Sequence, residues 1–545
     1  MRASLAALLL LSITVLDGPV RAAASDRAPA TWSESAPEGL RIGGVLHSHD
    51  PDWRRGDYAQ VAATEFSAVT ASIYMPWGGM APVDSNDVRA GRLAPVDVSG
   101  FVEIVDWAKV GTRDLDVHGH TLVWPAANAT QSWYADPALD GHRRTVLRHW
   151  VTSVAAASDE VAIWDVVNEV IADEPDGEHA DRWGVATDTL EYRDLGPGWV
   201  DEVFAWAAES ADDDVELIIN DYGIAEINEK SDHLFAYVQE LRRRGVPVDG
   251  VGMQMHLRAW SPLDLTSVRA NVERFLDAGF SVHVTELDVM ATESSNPAIG
   301  PSEQQLAAQA ERFREIVELA VTTPGFDTVL LWDFADDRSW LHPIQQWAPG
   351  LDTGTYTFPA PWSGGAVGYE LEPKPAYWAI GAALDAASAG DLVSPPPLAT
   401  LGVTLQPASN DGALTESVDG SVTVGAVGDA TWTLESTGDG YWRIRHDASG
   451  RYLSRRGLWD GTSWQPGTDV MLDWLDTEWW SQQWSIRHVG DAGWVLTNRW
   501  GQATGVLHAD ELTFGVDDRD PDAAWKVVGG LTTGIGGVWG AGSTD

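Results

Sequence analysis

The sequence predicts an α/β protein, namely a closed barrel of eight parallel strands and eight outer helices, (β/α)8, followed by a smaller all-β domain. Short apolar runs rich in branched side chains alternate with segments of helical period between residues 39 and 335. Eight such runs are present, which is the strand number of this barrel. The composition changes at about residue 403, and a chain of 545 residues with 44% hydrophobic residues has room for both domains.

The predicted barrel strands are almost continuously apolar, as expected where both faces of a parallel sheet are covered. The runs VELII, from Val215, and TVLLW, from Thr328, show this most clearly. A doubly wound open sheet is the alternative, but no Gly-rich phosphate-binding loop follows any run. The eight strands are predicted over Gly39–His47, Ser67–Tyr74, Leu115–Trp124, Val161–Glu169, Val215–Tyr222, Val248–His256, Phe280–Val289 and Thr328–Ala335.

Helices are predicted between the strands. The clearest covers Ser302–Ala320, where apolar residues recur every three or four positions and Ser302 with Gln305 forms a capping box. Glu229–Arg244 and Leu265–Ala278 have the same periodicity.

The N-terminus has the pattern of a secretory signal peptide, predicted over residues 1–24. Arg2 precedes an apolar run, Ala3–Leu16, and small residues follow at Ala22–Ala24. A membrane anchor is the alternative, although the run is shorter than the roughly 20 residues that span a bilayer. We therefore expect a secreted protein, with residues 25–38 as a linker and residues 39–384 as the barrel domain.

A second linker is predicted over residues 385–402, because this segment contains Ser394-Pro395-Pro396-Pro397 and has no periodic apolar pattern. Residues 403–530 are rich in Trp and Gly and form the predicted all-β domain. Three related motifs surround Trp432, Trp484 and Trp525 and predict threefold pseudo-symmetry. Residues 531–545 are predicted to be a flexible tail.

Composition excludes several functions. The chain has no cysteine, so thiol nucleophiles and thiolate metal sites are absent. Its 81 acidic and 35 basic residues give a formal charge of −46, which disfavours nucleic acid and anionic membranes as partners. We expect a monomer that uses no cofactor and no metal.

Two glutamates stand where barrel enzymes place their reacting groups. Glu169 ends the fourth predicted strand and Glu286 lies near the end of the seventh. An acidic residue after a strand is common by chance, so the surrounding motifs decide whether the pair is catalytic.

Seven motifs in order over residues 40–384 resemble those of the glycoside hydrolase family 10 xylanases. They are VHGHTLVW, WDVVNE, INDYG, VGMQMH, VTELDV, WDFADDRSW and PKPAYWAI. The resemblance implies a TIM barrel and a retaining endo-1,4-β-xylanase acting on xylan or a related β-linked plant polysaccharide. Residues 403–530 are similar to a ricin-type β-trefoil lectin, whose QxW signature is intact at Gln482-Gln483-Trp484.

The resemblance implies that Glu286 is the nucleophile and Glu169 the acid/base. Retention requires the two carboxyl groups about 5–5.5 Å apart, and two acids this close do not both ionise easily. We therefore expect Glu169 to keep its proton near neutral pH.

Supporting substrate-binding residues are carried over from the same motifs. Asn168 is expected to bond the sugar 2-hydroxyl, and His256 to hydrogen-bond Glu286. The other expected contacts are made by polar side chains around the cleaved bond and by aromatic rings that pack against sugar: His120, Gln254, Tyr222, Trp124, Trp332 and Trp340.

Polar residues of the family are replaced on the glycone side of the predicted site. Ser72, Ile73 and Pro76 replace Glu, Asn and Lys, Ala127 lies in a replaced His-Ser-Gln run, and Gly223 replaces an Asn. Two alternatives therefore stay open: a related retaining β-glycosidase or glucanase, and a carbohydrate-binding protein without catalysis. The presence of both acids argues against the second.

The large acidic excess is typical of proteins from salt-rich surroundings, because counterions screen repulsion within the folded chain. We predict that the melting temperature rises between low and molar NaCl. A melting temperature that falls over this range, followed by circular dichroism, would contradict a halophilic adaptation.

Overall fold

The structure is a computed structural model that describes residues 30–390, apart from residues 55, 74–79, 112, 127–130, 295–299, 342–356 and 364–370. It also describes residue 392 and, between residues 403 and 528, the strands and some of the turns that join them. The predicted signal peptide and C-terminal tail lie outside the described residues.

The eight predicted barrel strands are confirmed, and each is parallel to its two neighbours in a closed ring. The ring closes where β6 pairs with β7 and β8 pairs with β1. Closure excludes the open doubly wound sheet. The strands are β1 (Arg41–His47), β2 (Ala68–Ser72), β3 (Asp116–His120), β4 (Ile163–Asn168), β5 (Glu216–Asp221), β6 (Gly250–Met253), β7 (Ser281–Met290) and β8 (Thr328–Leu331).

The helices lie between the strands in sequence, as predicted. Helix Glu303–Val321 begins after Ser302, which forms the predicted capping box with Gln305. The other helices are Trp32–Ser35, Gly56–Glu65, Ser85–Arg89, Ser99–Lys109, Arg143–Ala155, Leu190–Leu195, Trp199–Ala208, Glu229–Arg243, Leu265–Asp277 and Pro375–Ala389. Within the described residues, no helix has the length and apolar composition needed to cross a bilayer.

A short strand that the sequence pattern does not predict follows β6. It covers His256–Arg258 and runs parallel to Asp288–Met290, the last residues of β7. The two strands extend together beyond the ring, at the end where the barrel strands finish.

Both predicted linkers overlap with the barrel domain. Trp32 is 1% exposed, stacks on Tyr377 and donates its indole N–H to the Tyr377 carbonyl. Helix Pro375–Ala389 continues five residues into the segment predicted as the second linker, where Ser35 donates a hydrogen bond to Asp385. Local composition does not show which residues the barrel buries, so residues on both sides of the predicted boundaries contact it.

The C-terminal region forms small antiparallel sheets around its own apolar core, separate from that of the barrel. The three motif tryptophans are fully buried, and the indole N–H of each donates to a leucine carbonyl: Trp432 to Leu414, Trp484 to Leu453 and Trp525 to Leu507. The described strands are Thr404–Pro407, Gly412–Glu416, Val422–Ala426, Trp432–Ser436, Trp442–His446, Tyr452–Trp459, Trp464–Asp473, Trp484–His488, Trp494–Asn498, Val506–Leu507, Phe514–Gly515 and Ala524–Val528.

Candidate active site

The two predicted acids lie at the mouth formed by the C-terminal ends of the barrel strands. Glu169 follows β4 directly, and Glu286 lies within the outer half of β7. Glu286 is only 4% exposed. A carboxyl group with so little contact with water needs hydrogen-bond donors from the protein.

A chain of amide groups connects the two acids. Gln254 Nε2 donates to Glu169 Oε1 at 3.0 Å and lies 3.2 Å from Asn168 Oδ1. Asn220 Nδ2 lies 3.0 Å from the same Asn168 oxygen and donates to Glu286 Oε1 at 2.6 Å. Side chains from β4, β5 and β7, with Gln254 just after β6, therefore hold both acids in one polar network.

His256 contacts the second oxygen of Glu286, as expected. Its Nε2 lies 3.2 Å from Glu286 Oε2, and its Nδ1 lies 2.8 Å from Asp288 Oδ2. Burial lowers the pKa of His256, but Asp288 and Glu286 more than offset this effect and raise the pKa to about 10. The imidazolium therefore donates from both nitrogens at neutral pH. Trp340 fixes Asp288 by donating its indole N–H at 2.9 Å.

His120 lies on the other side of Glu286. Its Nδ1 is 3.7 Å from Glu286 Oε1 and 2.7 Å from Asp165 Oδ2. Burial favours the neutral form of Asp165, yet His118 and His120 lower the pKa of this carboxyl to about 2. Burial likewise lowers the pKa of His120, and Asp165 and Glu286 reverse the effect and raise it. Glu286 thus lies between two histidines that are each paired with an aspartate.

The surroundings of Glu169 favour its protonated form. Burial is the main cause of its raised pKa, and the negative charges of Asp221 and Glu286 act in the same direction. Hydrogen bonds from Gln254 and from the indole of Trp124, 2.6 Å from Glu169 Oε2, oppose the increase only in part. The two acids therefore differ in their electrostatic environment.

The structure places the remaining predicted aromatic residues around these acids. Trp332 and Trp340 are partly exposed and pack edge-on against His120 and His256, with ring centroids 4.8 and 5.1 Å apart. Tyr222 is also partly exposed and follows β5. The Lys230 ammonium lies 3.4 Å from the centre of its ring.

Three residues near the mouth adopt left-handed backbone conformations that residues other than glycine rarely adopt. Glu169 has φ 57°, Met255 has φ 58° and Asp333 has φ 64°. Each follows a barrel strand by one or two residues, so the strained positions coincide with the site.

The structure describes some of the residues that stand in place of the family's polar groups on the glycone side. Ser72 and Ile73 are both buried at the end of β2, and Ser72 is in register with His120 of β3. Pro76 and Ala127 lie outside the described residues. Gly223 has φ 69°, a conformation that glycine and asparagine adopt most easily.

Three acidic or amide residues of the network were not assigned from the sequence: Asn220, Asp165 and Asp288. Asn220 lies in INDYG and Asp165 in WDVVNE, so both stood within recognised motifs. Asp288 is two residues after Glu286 and therefore on the same face of β7, a spacing that can indicate a shared environment. Within the part of the chain that is described, no group of three or more His, Asp or Glu side chains is arranged to hold a metal ion.

A closed β/α barrel that holds two carboxyl groups in one network at its mouth, one buried and one partly buried, is typical of a barrel glycoside hydrolase. The sequence model of glycosyl hydrolase family 10 matches residues 34–383, and the chain belongs to this family. The match ends before the C-terminal region.

The relatives that match this chain differ in the share of their own length that it covers. Endo-1,4-beta-xylanase B of Thermotoga neapolitana is 32% identical over 59% of this chain and 82% of its own length. Exoglucanase XynX of Acetivibrio thermocellus is 28% identical over 69% of this chain but only 30% of its own length. The crystal structure of xylanase 10B from Thermotoga petrophila RKU-1 in complex with xylobiose is 28% identical, with a TM-score of 0.55 over 67% of this chain and all of that one.

Asp288→Asn should lower the pKa of His256 from about 10 towards its ordinary value, because the variant removes the negative charge at Nδ1. A raised histidine pKa stabilises the folded state below pH ~6.5, and the stabilisation is lost as the pH rises through the folded value. Titration of the imidazole carbon-bound protons by NMR measures the shift. Asp277→Asn, at an exposed position, is the control, and an unchanged titration in Asp288→Asn would show that Asp288 does not set this pKa.

Proposed function

We propose that this protein is a retaining endo-1,4-β-xylanase that cleaves internal bonds of xylan by double displacement. The observation that carries the proposal is the amide chain from Glu169 to Glu286, which holds two acids with different environments at one barrel mouth. Membership of family 10 and the xylanases among its relatives support it.

In the first step, Glu169 donates its proton to the leaving glycosidic oxygen while Glu286 attacks the anomeric carbon. The raised pKa of Glu169 keeps the required proton available. Two N–H donors, Asn220 and His256, contact different oxygens of Glu286 and orient its carboxylate for attack.

The second step depends on the loss of one charge. When Glu286 becomes an ester, its negative charge no longer raises the pKa of Glu169. Glu169 is then a better base and deprotonates the water that hydrolyses the ester. Two inversions at the same carbon give net retention of configuration.

Sugar contacts are assigned around this pair. The Asn168 Oδ1 atom is engaged by Gln254 and Asn220, which leaves its amide N–H groups to donate to a 2-hydroxyl. Trp332, Trp340 and Tyr222 offer partly exposed rings, and His120 lies beside Glu286. Trp124 serves chiefly as a hydrogen-bond donor to Glu169.

A retaining glucanase is the second candidate. Ser72 and Ile73 stand where the family has polar groups that hold the glycone, and each lost hydrogen bond weakens recognition by about 0.5–1.5 kcal/mol. One relative carries the name exoglucanase. Xylan and mixed-linkage glucan therefore need to be compared directly.

The wild-type protein should release reducing sugar from xylan in high salt, faster than from mixed-linkage glucan. Glu169→Ala and Glu286→Ala should both lower the rate, by about 10²–10⁴-fold for loss of the acid/base. Azide should rescue Glu169→Ala and form a β-glycosyl azide, whereas Glu286→Ala with azide should form the opposite anomer.

Glu372 is an exposed acidic residue that is distant in sequence from Glu169 and Glu286. Glu372→Ala is therefore the matched control and should retain the wild-type rate. Faster release from glucan would favour the glucanase. No release from xylan, glucan or aryl glycosides would favour a protein that binds carbohydrate without cleaving it, and identical azide products would contradict the two roles.

We propose further that residues 403–530 form a ricin-type β-trefoil that binds polysaccharide, and that the protein is secreted and adapted to salt. The trefoil is supported by the equivalent tryptophan–leucine hydrogen bonds of the three motifs and by the separate apolar core. Secretion rests on the N-terminal sequence alone, and salt adaptation on the charge of −46. A binding domain raises the local concentration of polymer at the active site.

Removal of residues 403–545 from the Glu286→Ala variant should lower the fraction that sediments with insoluble xylan. The reason is that the shortened protein would have lost its second point of attachment to the polymer. The same deletion in the wild-type background should retain activity on a soluble aryl glycoside, which checks that the barrel is folded. Equal sedimentation of the two lengths would contradict a binding role for this region.

A further inference from the structure

A pocket of about 270 Å³ lies beside Trp260, outside the network of the two acids. Trp260 is 39% exposed, although large aromatic side chains are usually buried. Single exposed aromatic residues are common on protein surfaces, but Trp260 also borders a pocket. The pocket is therefore a candidate binding site.

The chemistry of the pocket suits a neutral sugar. Trp260 supplies an aromatic surface, and Ala291 and Ala308 contribute small side chains to the wall of the pocket. Thr292 supplies a hydroxyl whose oxygen accepts a hydrogen bond from Gln305 Nε2 at 3.1 Å, so the hydroxyl hydrogen remains to be donated. The carboxylate of Glu293 on the rim, together with the overall charge of −46, disfavours an anionic ligand.

The turn that carries Trp260 is held in place from both sides. The Ala259 N–H donates to the Met290 carbonyl at 2.9 Å, and Arg312 donates to the Ser261 carbonyl at 2.9 Å. An aromatic side chain on a fixed turn loses little conformational freedom when a ligand binds.

The pocket also lies near the active site along the chain. The strand His256–Arg258 begins at the histidine that contacts Glu286 and leads directly to Trp260. Ala259 and Trp260 form a turn after this strand, so the Cα atoms of His256 and Trp260 are at most about 14 Å apart. A polymer that occupies the active site and extends beyond it by a few sugar units is therefore long enough to reach this pocket.

We propose that the pocket beside Trp260 is a remote sugar-binding subsite, in which Trp260 packs against a pyranose ring of the polysaccharide whose cleavage occurs at Glu169 and Glu286. The inference rests on the proposed function, because it takes the ligand to be the same polymer. Trp260 acts on binding and takes no part in bond cleavage.

The test compares polymeric xylan with an aryl β-xylobioside, which is too short to reach the pocket. Trp260→Ala should raise KM for the polymer about 3- to 10-fold, the effect of losing one aromatic contact. The readout is the ratio of kcat/KM for polymer to kcat/KM for the aryl glycoside, which should fall in Trp260→Ala and recover partly in Trp260→Phe. Trp378→Ala, at another exposed tryptophan, is the matched control and should keep the wild-type ratio.

An unchanged ratio in Trp260→Ala, or an equal loss on both substrates, would overturn the proposal. Affinity electrophoresis in gels containing soluble xylan gives a readout that does not require cleavage. If the wild-type protein cleaves neither substrate, the proposed function fails, and weaker retardation of Trp260→Ala than of wild type and Trp378→Ala would still support the subsite. Equal retardation of all three would overturn it.

Discussion

The site depends on one shared acceptor, the Oδ1 atom of Asn168, which receives amide groups from Gln254 and Asn220. Each amide reaches a different acid, so the positions of Glu169 and Glu286 are coupled through a single atom. Carboxyl groups buried together destabilise one another unless donors compensate. The closed ring supplies these donors by bringing β4 to β7 side by side.

The proposed division of labour between the acids is consistent with an asymmetric distribution of charged neighbours. Glu286 lies between His120 and His256, which are both paired with aspartates. Glu169 has amide and indole donors but faces further negative charge. The charged and polar neighbours of the two carboxyl groups therefore differ, and those of Glu169 raise its pKa.

The eight barrel strands and the clearest helices were predictable because they have local signatures: apolar runs, helical periodicity and the capping box at Ser302. The positions of both acids were predictable from their motifs and from their place at or near the C-terminal ends of strands. The hydrogen-bond partners of Asn220 and Asp288 were not predictable, because they depend on the register between neighbouring strands. The burial of Trp32 against the last helix, and the hydrogen bond from Trp124 to Glu169, are likewise tertiary contacts with no local signal.

The left-handed backbone at Glu169, Met255 and Asp333 affects how the enzyme loses activity on heating. Conformations of this kind cost about 1–3 kcal/mol each and persist only while the surrounding packing enforces them. If warming first loosens the loops at the mouth, these residues relax towards ordinary geometry and the two acids lose alignment while the ring of strands remains intact. Inactivation would then precede unfolding, and stabilising the core alone would do little to extend the working lifetime.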